Sequence, residues 1–288
     1  RVYFKEMKES NQLIEEFMLL ANRRVAEFVG RKRKGAQNAE RTFVYRVHDK
    51  PNSDKMAQFR SFVLRFGYQM KAEGNKAVAK EINRLMKKIH GKKEENIIST
   101  LAIRSMAKAT YTTDNIGHYG LAFDYYTHFT SPIRRYPDLQ IHRIIKDDLR
   151  GRLDKGGRIG KYSSILQHVA EQSSAMEQRA AEAEREAVKL KKAEYMLEHV
   201  GEEYDGVISG VTGWGFYVEL PNTVEGLVHI MTLKDDYYNF DEENYRLVGE
   251  QHGRVFRLGE PVRVRVRNAE PANRTIDFTY VEKETETE

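Results

Sequence analysis

Cysteine is absent from the 288 residues, which excludes a disulfide framework, a thiolate-held zinc and a cysteine nucleophile. No apolar run approaches the ~18–20 residues that a membrane-spanning helix requires. The opening RVYFKEMKES also lacks the apolar core of a secretory signal. These absences lead to the expectation of a cytoplasmic protein with no membrane partner. An initiator methionine is missing too, and RVYF reads as a strand already under way, as in a piece of a longer protein. Neither sign of charge dominates: 48 Lys and Arg stand against 43 Asp and Glu, a formal net charge of +5. Such a balance permits a polyanionic partner without demanding one.

What is present is enough to fold. Hydrophobic residues make up 40% of the chain and aromatics 10%, which excludes wholesale disorder, and the length suggests roughly two domains at ~100–200 residues each. The first two-thirds read as helical. Leu13, Ile14, Phe17, Leu20, Ala21, Val25 and Phe28 recur at the spacing of one helix face, and Gly30 follows where a C-cap glycine belongs. A basic run at 31–34 precedes a strand-like segment at 42–47. Ser53 is placed to cap a helix carrying Phe59, Phe62, Val63 and Phe66, closed by Gly67. Further helices are expected from Asn75 to Gly91, over 95–109, from a start marked by Pro132 and Pro137, and over about 163–200. At Gly201 the pattern changes. Segments 204–210, 215–220, 226–230, 261–266 and 274–280 read as short strands between Gly, Pro and Asn turns, as in a small OB-like barrel. The expected fold class is therefore α+β, with a mostly helical domain at 1–200 and an all-β domain at 201–288.

The densest cluster of reactive side chains is IGHYGLAFDYYTHFTSPIRRYPD, residues 116–138. Arg134 and Arg135, behind Ser131 and Pro132, are expected on the first turn of a helix. Guanidinium forks and free amide hydrogens both suit a phosphate there. The neighbouring Tyr126 and His128 are able to stack on bases or donate to phosphate oxygens. A structural pair of Arg134 or Arg135 with Asp138 accounts for the same residues, and the pattern leaves both readings open. In the β half, Trp214, Phe216 and Tyr217 lead to His229. Aromatics at a strand turn beside a histidine make a stacking platform worth about 1–3 kcal/mol per base. Core filling is the better reading for Phe216, whose neighbour Tyr217 points the opposite way.

GHYGLAFDYYTHFTSPIRRYPDL, followed by HRIIK, resembles the catalytic-domain signature of the RNase II/RNase R (RNB) family of exoribonucleases. NQLIEEFMLLAN and YRVHDKP resemble neighbouring segments of that domain. Residues 212–230 are similar to the S1 RNA-binding domain, an OB-fold, and the insertion after them resembles the RNase R branch. The resemblance covers nearly the whole chain. It implies the latter half of an RNB catalytic domain followed by an S1 barrel. The implied activity is processive 3′→5′ hydrolysis of single-stranded RNA to nucleoside 5′-monophosphates, with Mg²⁺ as cofactor. Position by position, it implies Arg134 at the scissile phosphate; Tyr126, His128, Ser131 and Arg135 are expected beside the RNA from their place in the same cluster. Glu15, Glu16 and Glu184 match positions near bound nucleotides, although a solvated helix face explains them as well. Trp214, Tyr217 and His229 are implied to face RNA, with Arg274 at a phosphate. The family commonly has Phe where Trp214 and Tyr217 stand, a departure that keeps the π-face.

The family holds its metal in a TIDxxxxxDxDDA-like stretch, and nothing like it occurs in the sequence. Asp147 with Asp148, and Asp235 with Asp236, are isolated pairs, whereas two-metal hydrolysis needs several converging carboxylates. The Mg²⁺ ligands are thus expected upstream of this chain, and the chain alone is expected to be inactive. The alternative is a non-catalytic RNA-binding protein that keeps an RNB scaffold and an S1 domain.

Overall fold

The computed structural model describes residues 7–31, 42–71, 75–92, 94–153, 155 and 157–282; the strand expected at RVYF and all but Arg31 of the basic run lie outside them. In chain order the first elements are α1 (Glu9–Gly30), β1 (Tyr45–Val47), α2 (Ser53–Arg65), α3 (Asn75–Ile89), α4 (Glu95–Ser105), β2 (Thr110–Thr112), α5 (Tyr136–Leu149) and α6 (Arg158–Leu197). Strands follow: β3 (Glu203–Thr212), β4 (Gly215–Glu219), β5 (Glu225–His229), β6 (Tyr238–Asp241), β7 (Arg246–Gly249), β8 (Val255–Arg257), β9 (Pro261–Glu270) and β10 (Thr275–Val281). The fold class is α+β. Two compact units divide the chain, one made of residues 1–55, 73–77 and 106–179, the other of 56–72, 78–105 and 180–288.

In the first unit, Ala26 and Val29 of α1 pack with Phe43, Val44, Tyr111, Ile141, Ile144 and Leu166, while β1 and β2 pair antiparallel with Arg46 opposite Tyr111. The apolar face read along α1 is only partly covered: Ala26 and Val29 are buried, while Leu13, Ile14, Phe17, Leu20 and Phe28 stand exposed. Gly30 is the last helical residue and the extended Arg31 caps α1, so the expected glycine cap is not made. Its smallness serves packing instead, because a side chain there would collide with the Tyr45 hydroxyl and come within 3.1 Å of the Tyr125 ring. At α2 the capping oxygen comes from Asn52, which accepts from the amides of Asp54 and Lys55 at 2.9 and 3.1 Å, one residue earlier than the expected Ser53.

In the second unit, α3 buries Val78, Ile82, Leu85 and Ile89, as its spacing predicts. Helix α4 stops at Ser105, short of 109. The five expected strands close a barrel in the order β10-β5-β4-β3-β9. Inward alternation puts Ile208, Phe216, Val218, Val228, Val264 and Phe278 in its core with no exposure, and burial of such side chains is the main driving force for closing it. Gly226 is required beside Phe278, whose ring would lie 2.6 Å from any β-carbon at that position. A separate three-stranded sheet, β6-β7-β8, was not expected. It is fixed to the barrel by Phe256, which stacks on Phe216 at 4.7 Å and meets Tyr238 at 5.3 Å.

Candidate functional site

The chain between β2 and α5 is held almost atom by atom. Asn22 of α1 is buried, and its Oδ1 accepts from the amides of Phe129 (2.9 Å) and Thr130 (3.2 Å) while its Nδ2 donates to the Tyr126 hydroxyl (3.3 Å). Thr127 donates to the Val44 carbonyl at 2.7 Å, and the His142 ring stacks on Phe129 at 4.1 Å. Asn22 was missed in the sequence reading. Its signal was a polar side chain on the same α1 stretch as Ala26 and Val29, which is a costly place to bury an amide without partners.

On this base the Ser131–Arg135 turn is built by two bonds, from the Arg134 and Arg135 amides to the Ser131 carbonyl at 3.3 and 3.1 Å. Helix α5 begins one residue later, with Arg135 as its N-cap and Pro137 in its first turn. Both arginines therefore precede the helix rather than occupying its first turn. Asp138, fully buried, accepts from the Ser131 amide (2.8 Å) and from Arg135 Nε and Nη2 (3.0 and 2.8 Å). This corrects the expectation for Arg135: its fork is consumed by Asp138, so it builds the turn and is not a free phosphate ligand. Arg134 is exposed, and among the described residues its side chain has no hydrogen bond or ion pair. The turn thus presents one unpaired guanidinium.

Behind it lies a neutral aromatic layer. Tyr126, only 5% exposed, sits edge-on to His118 and His128 at 5.2 and 5.8 Å. Tyr126 is therefore corrected from a base-stacking face to an inner support, since a ring this buried offers no open face. His128 Nδ1 lies 2.8 Å from the Tyr111 hydroxyl. Arg46 sits 4.6 Å over the Tyr111 ring and pairs with Glu177 at 2.6 Å. Burial first, then the charges of Arg135 and Arg46, push the His128 pKa down to about 3; burial and His48 push His118 down to about 4. In the unfolded chain both regain an ordinary value near 6.5. The unfolded state then binds more protons, so folding stability falls as pH drops through about 6.5 toward 4. A urea midpoint lower at about pH 5 than at about pH 7 is the expected result; equal midpoints would mean that both rings protonate in place.

Glu15 and Glu16 stand exposed on the N-terminal half of α1, and Glu184 is exposed on α6. None makes a hydrogen bond or ion pair among the described residues. The other acids singled out are engaged. Asp147 accepts from Arg158 (2.8 Å) and Tyr162 (2.9 Å). Asp235 accepts from Tyr238 (2.7 Å) and Arg254 (3.1 Å), and Asp236 from the amides of Tyr237, Gln251 and His252. Among the described residues no three His, Asp or Glu side chains converge as ion ligands, so these residues do not fit the Mg²⁺ that the family implies.

The barrel carries a second surface. Trp214 lies in the β3–β4 turn and is 55% exposed. Tyr217 is half-buried on the outer face, with Phe216 inside as expected. Gly210 lies under Tyr217, where a β-carbon would stand 3.5 Å from the ring. His229 pairs across from Gly215 and its Nδ1 accepts from the Met231 amide at 3.2 Å, which leaves Nε2 as the outward donor. Arg274, at a left-handed turn (φ 58), pairs with Glu186 at 2.9 Å; a phosphate would have to compete with that carboxylate. No helix among the described residues is long and apolar enough to cross a membrane.

Comparison with known proteins gives these two surfaces a family. The RNB domain matches residues 1–151 and the S1 RNA binding domain residues 198–280. Ribonuclease R 1 of Lactococcus lactis is 44% identical over 275 residues, 96% of this chain and 33% of that protein. Ribonuclease R of Escherichia coli is 38% identical over 291 residues, 99% of this chain and 35% of that protein. The chain thus spans about a third of the length of these relatives. In fold it is similar to Mycoplasma genitalium RNase R, solved with ribose-methylated single-stranded RNA: TM-score 0.84 at 24% identity, covering 97% of this chain and 43% of that one. With RNB matched over more than half its length, the chain belongs to the RNB domain family and carries an S1 domain behind it.

Proposed function

We propose that this chain is the part of a ribonuclease R-type 3′→5′ exoribonuclease that sets a cation against the RNA backbone and grips single-stranded RNA on the outer face of its barrel. The whole enzyme would hydrolyse RNA processively to nucleoside 5′-monophosphates in the cytoplasm, a compartment consistent with a cysteine-free chain. Its Mg²⁺ would be held by residues outside those described. In domain terms, residues 1–200 are the RNB portion and 201–288 the S1 portion. One observation carries the reading: of the two adjacent arginines, Asp138 takes Arg135 and leaves Arg134 free. A free guanidinium on a rigid turn suits a phosphate, since no internal ion pair has to be broken to bind it.

Trp214 is the only tryptophan, so emission excited selectively at the indole reports the barrel surface. Titration with an oligoribonucleotide is expected to change that emission, and the affinity to fall as salt is raised. Trp214→Ala is expected to weaken binding about 5- to 150-fold, the equivalent of one stacked base at about 1–3 kcal/mol. An unchanged affinity would remove Trp214 from the interface. With Mg²⁺ added, the chain alone is expected to bind RNA without releasing mononucleotides; release by pure material would show that the metal ligands lie within it.

A further inference from the structure

The sheet β6-β7-β8 presents two faces of different character. Register places Tyr238 opposite Gly249 and Phe240 opposite Leu247, so Tyr238, Phe240 and Leu247 share one face. Tyr238 and Leu247 are buried there, and the row runs on through Phe256 to the barrel. Phe240 ends the row and is 36% exposed. Its Cδ1 lies 4.0 Å from the position a β-carbon would take on Gly213, the residue immediately before Trp214. The end of the inserted sheet therefore abuts the turn that carries the exposed tryptophan.

Three of the acids around this junction are partnered, while Glu242 is exposed and enters no ion pair among the described residues. Asp235, Asp236 and Asp241 are all occupied internally, Asp241 by Arg246 at 2.8 Å and by Asn244. Hydrogen bonds from Asn244 and Arg246 hold the Asp241 carboxyl below the usual range, so it stays anionic but partnered. Lys234, on the segment running from His229 to Phe240, is exposed and enters no ion pair among the described residues. A partly exposed aromatic ring beside the Trp214 turn and an unpaired lysine on the adjoining segment are components of a stacking site for single-stranded nucleic acid.

We propose that the insertion adds a nucleotide subsite to the barrel, with the Phe240 ring as its stacking face and Lys234 as its phosphate contact. This rests on the reading of the barrel as the RNA grip, and it extends the bound segment past Trp214. The experiment is binding of this chain to oligouridylates of about 4 and about 10 nucleotides, lengths at the short end and middle of the range one such barrel covers. Phe240→Ala and Phe240→Leu are both expected to lose about 5-fold or more for the longer RNA and less than about 2-fold for the shorter, while Phe240→Tyr keeps wild-type affinity. The leucine variant preserves apolar packing, so full affinity in Phe240→Leu with a loss only in Phe240→Ala would overturn stacking in favour of a packing role. Unchanged affinity in all Phe240 variants, alongside a loss in Trp214→Ala, would overturn the subsite and leave the barrel reading intact. Unchanged affinity in Trp214→Ala, Tyr217→Ala and His229→Ala as well would overturn both.

Discussion

Replacing Asp138 with alanine is expected to destabilise the folded chain by about 3–5 kcal/mol, the range for breaking a buried ion pair from one side. The carboxylate is fully buried and satisfies three donors at once, the Ser131 amide and two nitrogens of Arg135. Arg135 is itself only 17% exposed, so removing its partner leaves a cation that water solvates poorly. The acid also sits in the first turn of α5, where the helix dipole favours negative charge by about 0.3–1 kcal/mol. Asp138→Asn keeps the shape and one acceptor oxygen and is expected to lose less. Urea denaturation of the chain measures both. A double-mutant cycle supplies the control: in an Arg135→Ala background, Asp138→Ala should cost markedly less, because the charge that needed it is gone. A loss below about 1 kcal/mol in the single variant would mean that the turn is held by its backbone bonds alone.

This pair also marks the limit of what could be read from the residues. Arg134 and Arg135 stand four and three positions before Asp138, and both spacings bring side chains together on a helix. The choice between a phosphate site and a structural pair was therefore open on spacing alone. It is decided by where the helix starts: because α5 begins at Tyr136, Arg135 folds back onto Asp138 and Arg134 is left on the turn. The five barrel strands, by contrast, were legible, since each alternates or runs apolar over a short length and turn residues separate them. Its inserted sheet was not, because strands of three or four residues such as YNFD and VFR are too short to show a period. Helix α1 was legible as amphipathic, but a periodic face does not say which part is covered. Asn22 could not be assigned its role at all, since its partners at Tyr126, Phe129 and Thr130 lie more than 100 residues along the chain.

The same geometry predicts how Arg134 acts. In a ribonuclease R-type protein carrying this chain, Arg134→Ala is expected to lower turnover about 10²–10³-fold, the range seen when one preorganised donor to a developing charge is removed. RNA affinity should change far less. On the proposed reading, binding would be spread over the barrel face and many backbone contacts, whereas a guanidinium set against one phosphate would gain most when that group takes on additional negative charge. The turn supports such selectivity: Asn22, Asp138 and the Ser131 carbonyl fix its backbone, so the point from which the Arg134 side chain extends is set before the substrate arrives. Arg134→Lys keeps the charge but loses the planar fork and is expected to recover only part of the rate. Single-turnover kinetics with saturating RNA separate the two quantities. Equal losses in affinity and turnover would make Arg134 a binding residue, and the free guanidinium would then serve to hold the RNA backbone through the ground state as well.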